Sequence, residues 1–307
     1  MPFFDVFILS FNRSDVIEET IRSLVDQTFK DISITVLDNG STDETVTKLS
    51  QYPVKIIQQE SNIGFLNNFL SAKNHGSAPW MLLFHDDDIL HPRYLEEAYE
   101  LIKNDQDISL IGSNFLGTDR PHADLWGGFN NQVMIFKNKA HFTSFCYTSN
   151  TINFASAIYK RTNFNNLNIN FDRFGKICDR PILIEFLGSG KAVVLKFPFI
   201  QYRIHAGQDS QTSTSGPFLK EAIALTEFYK HQMGDDWATT SGKCFILDNR
   251  SLLKYLYKWC SDRKSQHFHS FIESAIRNNA GTPWSRIPRP IMRFLKKFYL
   301  RHETSLL

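Results

Sequence analysis

Four short β-rich segments divide the first hundred residues, and a stretch with helical signals follows each of them. Residues 4–9 are the first and end in a turn at Ser10-Phe11-Asn12-Arg13. Val16, Ile17, Thr20, Ile21, Leu24 and Val25 then keep the helical period, with Asn12 or Ser14 available as the cap. Residues 32–37 form the second strand and stop at Asp38-Asn39-Gly40, after which Ser41-Thr42-Asp43-Glu44 has the pattern of a capping box. Residues 54–57 give a third strand, residues 64–72 a third helix and residues 80–84 a fourth strand. Pro92 stands where a first-turn proline opens the next helix. Alternation of this kind, with connections of ordinary length, predicts the α/β class with a parallel, doubly wound sheet.

The fourth strand carries the strongest chemical signal. Trp80-Met81-Leu82-Leu83-Phe84 is apolar throughout, as a strand covered on both faces is, and it runs into His85-Asp86-Asp87-Asp88. Carboxylates packed at a strand end repel one another unless a cation shares the site. In an open α/β sheet the crevice beyond the strand ends is also where ligands bind. A hard cation held by carboxylates and by substrate phosphates accounts for both facts, with a solvated acidic turn as the alternative.

The pattern loosens further on. Residues 108–111 and 192–197 read as strands, residues 152–159 as a possible strand, and residues 117–131 as a long functional or mobile loop. Residues 179–187 keep helical spacing, with Pro181 in the first turn. Residues 209–217 are a Ser/Thr/Gly stretch of linker type, and helical patterns follow at about 218–232, 247–260 and 267–277. The 307 residues thus divide into a main domain, 1–215, and a helical C-terminal extension, 216–307.

Composition removes several function classes. A formal net charge of +2 argues against a general nucleic-acid binder. Cys146, Cys178, Cys244 and Cys260 form no C-x-x-C pair and have no zinc-ligand spacing, so they read as reduced thiols of a cytosolic protein. No signal peptide and no bilayer-length apolar run is present, so contact with a membrane is expected at its surface. The turn after the first strand is neither G-x-G-x-x-G nor a Walker loop, which argues against nicotinamide and P-loop enzymes. Polar groups instead mark successive strand ends: Asn12, Asp38 and the three consecutive aspartates. Asp38-Asn39-Gly40 by itself is also an ordinary turn sequence.

Together these segments resemble the family-2 inverting glycosyltransferases of the GT-A fold. The resemblance rests on Leu9-Ser10-Phe11-Asn12-Arg13, Asp38-Asn39-Gly40-Ser41-Thr42-Asp43, Asn62-Ile63-Gly64-Phe65 with Asn68-Phe69, and His85-Asp86-Asp87-Asp88-Ile89-Leu90 with Pro92. Cys178-Asp179 and Tyr202-Arg203-Ile204-His205 extend it, so it covers roughly residues 3–210. It implies a GT-A-like, mostly parallel sheet, with a nucleotide-binding half over residues 1–113 and an acceptor half over 114–215.

The resemblance also implies roles, one position at a time. Phe11 would lie against the nucleotide base, and a planar ring suits that stacking. Asp38 would accept the N3–H of uracil or thymine, with Ser10, Asn12 and Asn68 nearby. His85 stands where the family has the first acid of Asp-x-Asp, which leaves Asp86 for ribose or phosphate and Asp87 for the metal. His205 would complete the metal and diphosphate site. Asp179 matches the general base of the family's Glu-Asp pair, with Cys178 in place of the glutamate; a helix N-terminal aspartate favoured by the dipole is its alternative.

The expected activity is transfer of a sugar from a UDP- or dTDP-linked donor to a hydroxyl of a lipid-linked surface glycan, with Mn2+ or Mg2+ as cofactor and inversion at the anomeric carbon. Arg286, Arg289, Arg293, Lys296, Lys297 and Arg301 alternate with apolar residues over 286–301, a pattern suited either to an anionic membrane surface or to docking on the body. The expected location is cytoplasmic, peripheral at the inner face of the plasma membrane. Two rivals are a catalytically silent sugar-nucleotide or glycan-binding module, and a sugar-1-phosphate nucleotidyltransferase. The latter would want a Gly-rich, Arg-containing loop after the first strand.

Overall fold

A computed structural model describes residues 1–130, 132–147, 152–205 and 216–234. Strand β1 (Phe4–Ser10), helix α1 (Ile17–Val25), β2 (Ile32–Asp38), α2 (Thr45–Leu49), β3 (Lys55–Gln58), α3 (Phe65–Ser71) and β4 (Trp80–His85) realise the alternation of the first hundred residues. Strands β3, β2, β1 and β4 lie side by side and parallel. Ser10 is in register with Asp38, and Leu9 with His85. Parallel strands bring their C-terminal ends to one edge, so these polar residues arrive there together.

The chain continues through β5 (Ile89–Leu90), α4 (Tyr94–Asn104), β6 (Ile108–Thr118), β7 (Val133–Phe136), α5 (Lys139–Tyr147), β8 (Ile158–Lys160), α6 (Arg161–Asn165), α7 (Phe171–Phe174), α8 (Asp179–Leu187), β9 (Lys191–Arg203) and α9 (Gly216–Met233). Short β8 lies antiparallel between β4 and β6. Strand β6 runs parallel to β9, which pairs antiparallel with β5 and β7. The parallel pattern read from the sequence therefore holds from β3 to β4 and again between β6 and β9, with antiparallel strands set among them.

The core follows from burial on both faces of the central strands. All seven residues of β1 are buried, and so are the five apolar residues of β4. Helix α1 covers them with Ile17, Ile21 and Leu24, one helical stripe. Asp5, buried within β1, is paired with Arg161 and accepts the N–H of Ala78 at 2.7 Å, so its charge is compensated at the sheet edge away from the site.

Several local expectations are corrected. Pro92 lies before α4 rather than in its first turn, and its carbonyl accepts the N–H of Thr28 at 2.8 Å. Residues 152–159 contain a 3-10 turn, Phe154–Ser156, before β8. The strand expected at 192–197 extends to Arg203, and the one at 108–111 to Thr118. Within 117–131, Ala123–Trp126 forms a 3-10 turn. The expected helices at 247–260 and 267–277, the basic segment 286–301, Cys244 and Cys260 lie outside the described residues, as does most of the stretch at 209–217. By compactness the described chain falls into two units, residues 1–142 with 152–205, and residues 143–147 with 216–234. In the second, Tyr147 packs edge-on against Tyr229. Among the described residues no helix is long and apolar enough to cross a membrane.

Candidate active site

The loops after β1 and β2 are knitted together. Asn12 adopts a left-handed φ of 51°, which asparagine tolerates better than most residues. Its N–H donates to Ser41 Oγ (2.9 Å), and its Oδ1 accepts the N–H of Thr42 (2.9 Å). Ser41 in turn donates its hydroxyl to Asp38 Oδ1 (2.5 Å) and its N–H to Asp38 Oδ2 (2.9 Å). The expected capping box does not form, because Asp38 rather than Glu44 accepts the Ser41 N–H and α2 begins only at Thr45. Asp43 accepts the N–H and hydroxyl of Thr45 instead, together with the N–H of Ser14. Burial works against its charge, yet these hydrogen bonds bring the Asp43 pKa down to about 2. Asn12 and Ser14 serve these loops, and α1 has no side-chain cap.

The 38–41 turn is seated on the next loop. Asn39 Nδ2 donates to Asn62 Oδ1 (3.0 Å), and the N–H of Ile63 donates to Asn39 Oδ1 (2.9 Å). Gly40, at φ 76°, approaches so closely that a Cβ would lie 2.6 Å from the Ser61 carbonyl carbon. Asp38 is fully enclosed, whereas Phe11 is 38% exposed. Asn68 Nδ2 donates to the carbonyl of Leu37 (2.8 Å), but its Oδ1 and Ser10 Oγ are buried with no hydrogen-bond partner. Such atoms cost stability, and a ligand is one reason to keep them.

Beside them stands the acidic turn between β4 and β5. Asp86 accepts the Phe11 N–H on Oδ2 (3.1 Å) and Arg13 Nε on Oδ1 (3.3 Å). Burial raises its pKa to about 6, with the Arg13 charge pulling the other way. Asp87 Oδ2 lies 2.9 Å from His205 Nε2. Asp88 Oδ1 accepts the N–H of Arg203 (3.0 Å). Its buried Oδ2 is 3.2 Å from His85 Nδ1, near enough for charge attraction but misaligned for a hydrogen bond. Burial disfavours the His85 cation, but Asp88 and the charges of Asp87 and Asp86 outweigh it and raise the pKa to about 9. Burial raises Asp88, against the pull of His85.

Helix α8 sets Asp179 in its first turn. Burial raises its pKa, opposed by Arg180, by main-chain N–H groups of that turn and by His85. The Phe154 ring stacks on His85 (centroids 6.4 Å apart) and packs on Phe186 of α8 (6.3 Å), which ties that helix to the acidic corner.

The residues fit a divalent cation. His85, Asp87 and Asp88 each carry an atom able to ligate, His85 once a cation displaces its proton, and those atoms lie within 4.8 Å of one another. The structure brings together Asp87 and His205, the pair expected from sequence, and adds His85 and Asp88. It also brings Phe11 and Asp86 into contact and sets Ser10 beside Asp38. Sequence reasoning missed Ser41, Phe154 and Arg203. Of these Ser41 left a trace inside the Asp38–Asp43 segment and Arg203 one inside the Tyr202–His205 motif, whereas Phe154 left none.

A parallel half-sheet ending on an acidic turn, continued by a mixed half, is a mixed α/β architecture of GT-A type. The signature described as "Glycosyl transferase family 2" matches residues 5–165, just over half of the chain, and the chain belongs to that family. An uncharacterized glycosyltransferase of Haemophilus influenzae is 24% identical over 261 residues, 76% of each chain. The poly(ribitol-phosphate) beta-N-acetylglucosaminyltransferase TarP of Staphylococcus aureus is 27% identical over 211 residues, covering 64% of this chain and 61% of TarP. Among solved structures, S. aureus TarS 1-349 in complex with UDP-GlcNAc superposes with a TM-score of 0.67 at 15% identity, over 92% of this chain and 84% of that one. This likeness is one of fold.

Proposed function

We propose that this glycosyltransferase moves a sugar from a UDP- or dTDP-linked donor to a hydroxyl of a surface-polysaccharide intermediate, with metal assistance and inversion. The observation that carries the reading is the His85, Asp87 and Asp88 group, standing at the same strand-end edge as the contact between Phe11 and Asp86. The uridine donor draws further support from TarS, whose structures contain UDP-GlcNAc and UDP. The polysaccharide acceptor draws support from the name of TarP. A lipid anchor on the acceptor would suit the basic segment 286–301, proposed as a contact to anionic membrane.

Phe11 stacks on the base, and Ser10, Asn12 and Asn68 line its surroundings. Asp38 accepts the imide N–H of the base. Asp86, already hydrogen-bonded to the Phe11 N–H, orients ribose or phosphate. Asp87 and His205, with His85 and Asp88, would hold the cation, which supplies charge stabilisation for the departing diphosphate. Imidazole beside carboxylate favours Mn2+ over Mg2+. Asp179 takes the proton of the acceptor hydroxyl as that oxygen attacks the anomeric carbon. One base on the acceptor side and the diphosphate leaving from the other give inversion.

Calorimetry with UDP tests the reading. UDP should bind tightly only with Mn2+, and Asp87→Ala should remove the metal-dependent part. Equal affinity with and without Mn2+ in the native protein would overturn the metal role. Tight binding with no release of UDP from any UDP-sugar would make the chain a binding module.

A further inference from the structure

We infer that Arg203 and Glu19 form a positioning clamp that presets the Asp87–Asp88 turn for its cation, an inference that rests on the metal reading above. The turn connects β4 to the two-residue strand β5, and it carries three carboxylates in succession. Left to itself such a turn would splay, since like charges at this spacing repel. Arg203, the last residue of β9, grips it twice. Its main-chain N–H donates to Asp88 Oδ1 (3.0 Å), which leaves Oδ2 of the same carboxylate beside His85. Its Nε donates to the main-chain carbonyl of Asp87 (2.8 Å), a bond that holds the peptide and leaves the Asp87 carboxylate to His205 and a cation.

The grip is braced from the other side. Arg203 Nη2 donates to Glu19 Oε2 (2.5 Å) on α1, and the neighbouring Thr20 Oγ1 donates to the carbonyl of Asp86 (3.2 Å). The Arg203 side chain is 12% exposed, while Glu19 is 54% exposed. An ion pair with so open a partner adds little to stability. Its effect is orientation: it fixes the plane of a guanidinium whose Nε points at the metal turn. A planar fork can bridge Glu19 and the Asp87 carbonyl at once, whereas a lysine ammonium is a single point on a flexible stem. Arg203 is also two residues from His205, so one strand end delivers both the ligand and the clamp. Neither clamp residue touches a reacting atom; both act through Asp87 and Asp88.

The test measures Mn2+ binding to the full-length protein by the electron paramagnetic resonance signal of free Mn2+, in wild type, Arg203→Gln, Arg203→Lys and Glu19→Gln. Outer-shell groups of this kind change metal affinity by roughly 10–100-fold. Arg203→Gln should lose that much, Arg203→Lys should recover only part, and Glu19→Gln should lose less in the same direction. The spectrum of bound Mn2+ should broaden as its ligands lose order, while metal-free melting temperatures stay close to wild type. Mn2+ affinity within about twofold of wild type in Arg203→Gln would overturn the clamp. If Arg203→Gln fails to fold, exposed Glu19→Gln decides alone, and unchanged affinity there overturns it equally. Wild-type protein that binds no Mn2+ would remove the metal reading itself, and the clamp with it.

Discussion

The proposed base, Asp179, combines the place of an ordinary helix N-terminal aspartate with a degree of burial that such an aspartate does not require. It begins a helix, where the dipole and main-chain N–H groups favour its charge, yet burial raises its pKa. A base whose pKa rises toward the working pH holds a proton more firmly once it has taken one. Since the base must be ionised to act, kcat/KM should climb with pH through the Asp179 pKa, placing the acid limb above the ordinary carboxylate range. Asp179→Asn should keep donor affinity and lower kcat by roughly two to four orders of magnitude. Steady-state rates from pH 4 to 8, with donor binding measured in parallel, check both. Loss of donor binding would move Asp179 into the nucleotide site, and a near-normal rate would remove it from the chemistry.

At the scale of elements, α1 and the turn after it act as a ruler for the metal turn and the chain beyond. The Leu90 N–H donates to Ser23 Oγ (3.1 Å), and Gln27 Nε2 donates to the carbonyl of His91 (2.9 Å) while its Oε1 accepts the N–H of Leu95 (3.2 Å). Gln27 is fully buried, so Gln27→Leu strands main-chain partners and should cost about 1–3 kcal/mol, read from the urea midpoint at constant slope. The apolar period Ile17, Ile21, Leu24 was legible in the sequence. The polar partners were not, because their targets lie more than sixty residues away and become neighbours only when the sheet forms. The same distinction runs through the site. Asp38 and the acidic triplet could be read off because parallel strands deliver their ends to one edge. Arg203 could not, since its role depends on β9 pairing with β5, Ile200 opposite Leu90. Ser41 was misread for a related reason: Glu44 and Asp38 are rival acceptors for its main-chain N–H, and the turn geometry gives it to Asp38.

For the molecule as a whole, attraction to membranes is proposed to reside in residues 286–301. Each basic residue near an anionic surface contributes about 1 kcal/mol, and the attraction decays within a Debye length. Sedimentation with anionic vesicles should show binding at low salt that falls as salt rises. Deletion from Pro288 onward should abolish it and leave UDP affinity intact; intact protein that ignores such vesicles at low salt, or a truncated chain that unfolds, would refute the role. Strand β8 has a different consequence, one of timing. Only three residues long, it closes the gap between β4 and β6 in the middle of the sheet. A ribosome needs roughly 4–15 s to travel from the end of β4 to β8. Throughout that interval the apolar strand β4 waits with one edge unpaired, open to chaperones and to other nascent copies. A fragment ending at residue 113 would keep that open edge permanently, so the nucleotide-side half taken alone would be the aggregation-prone piece of this protein.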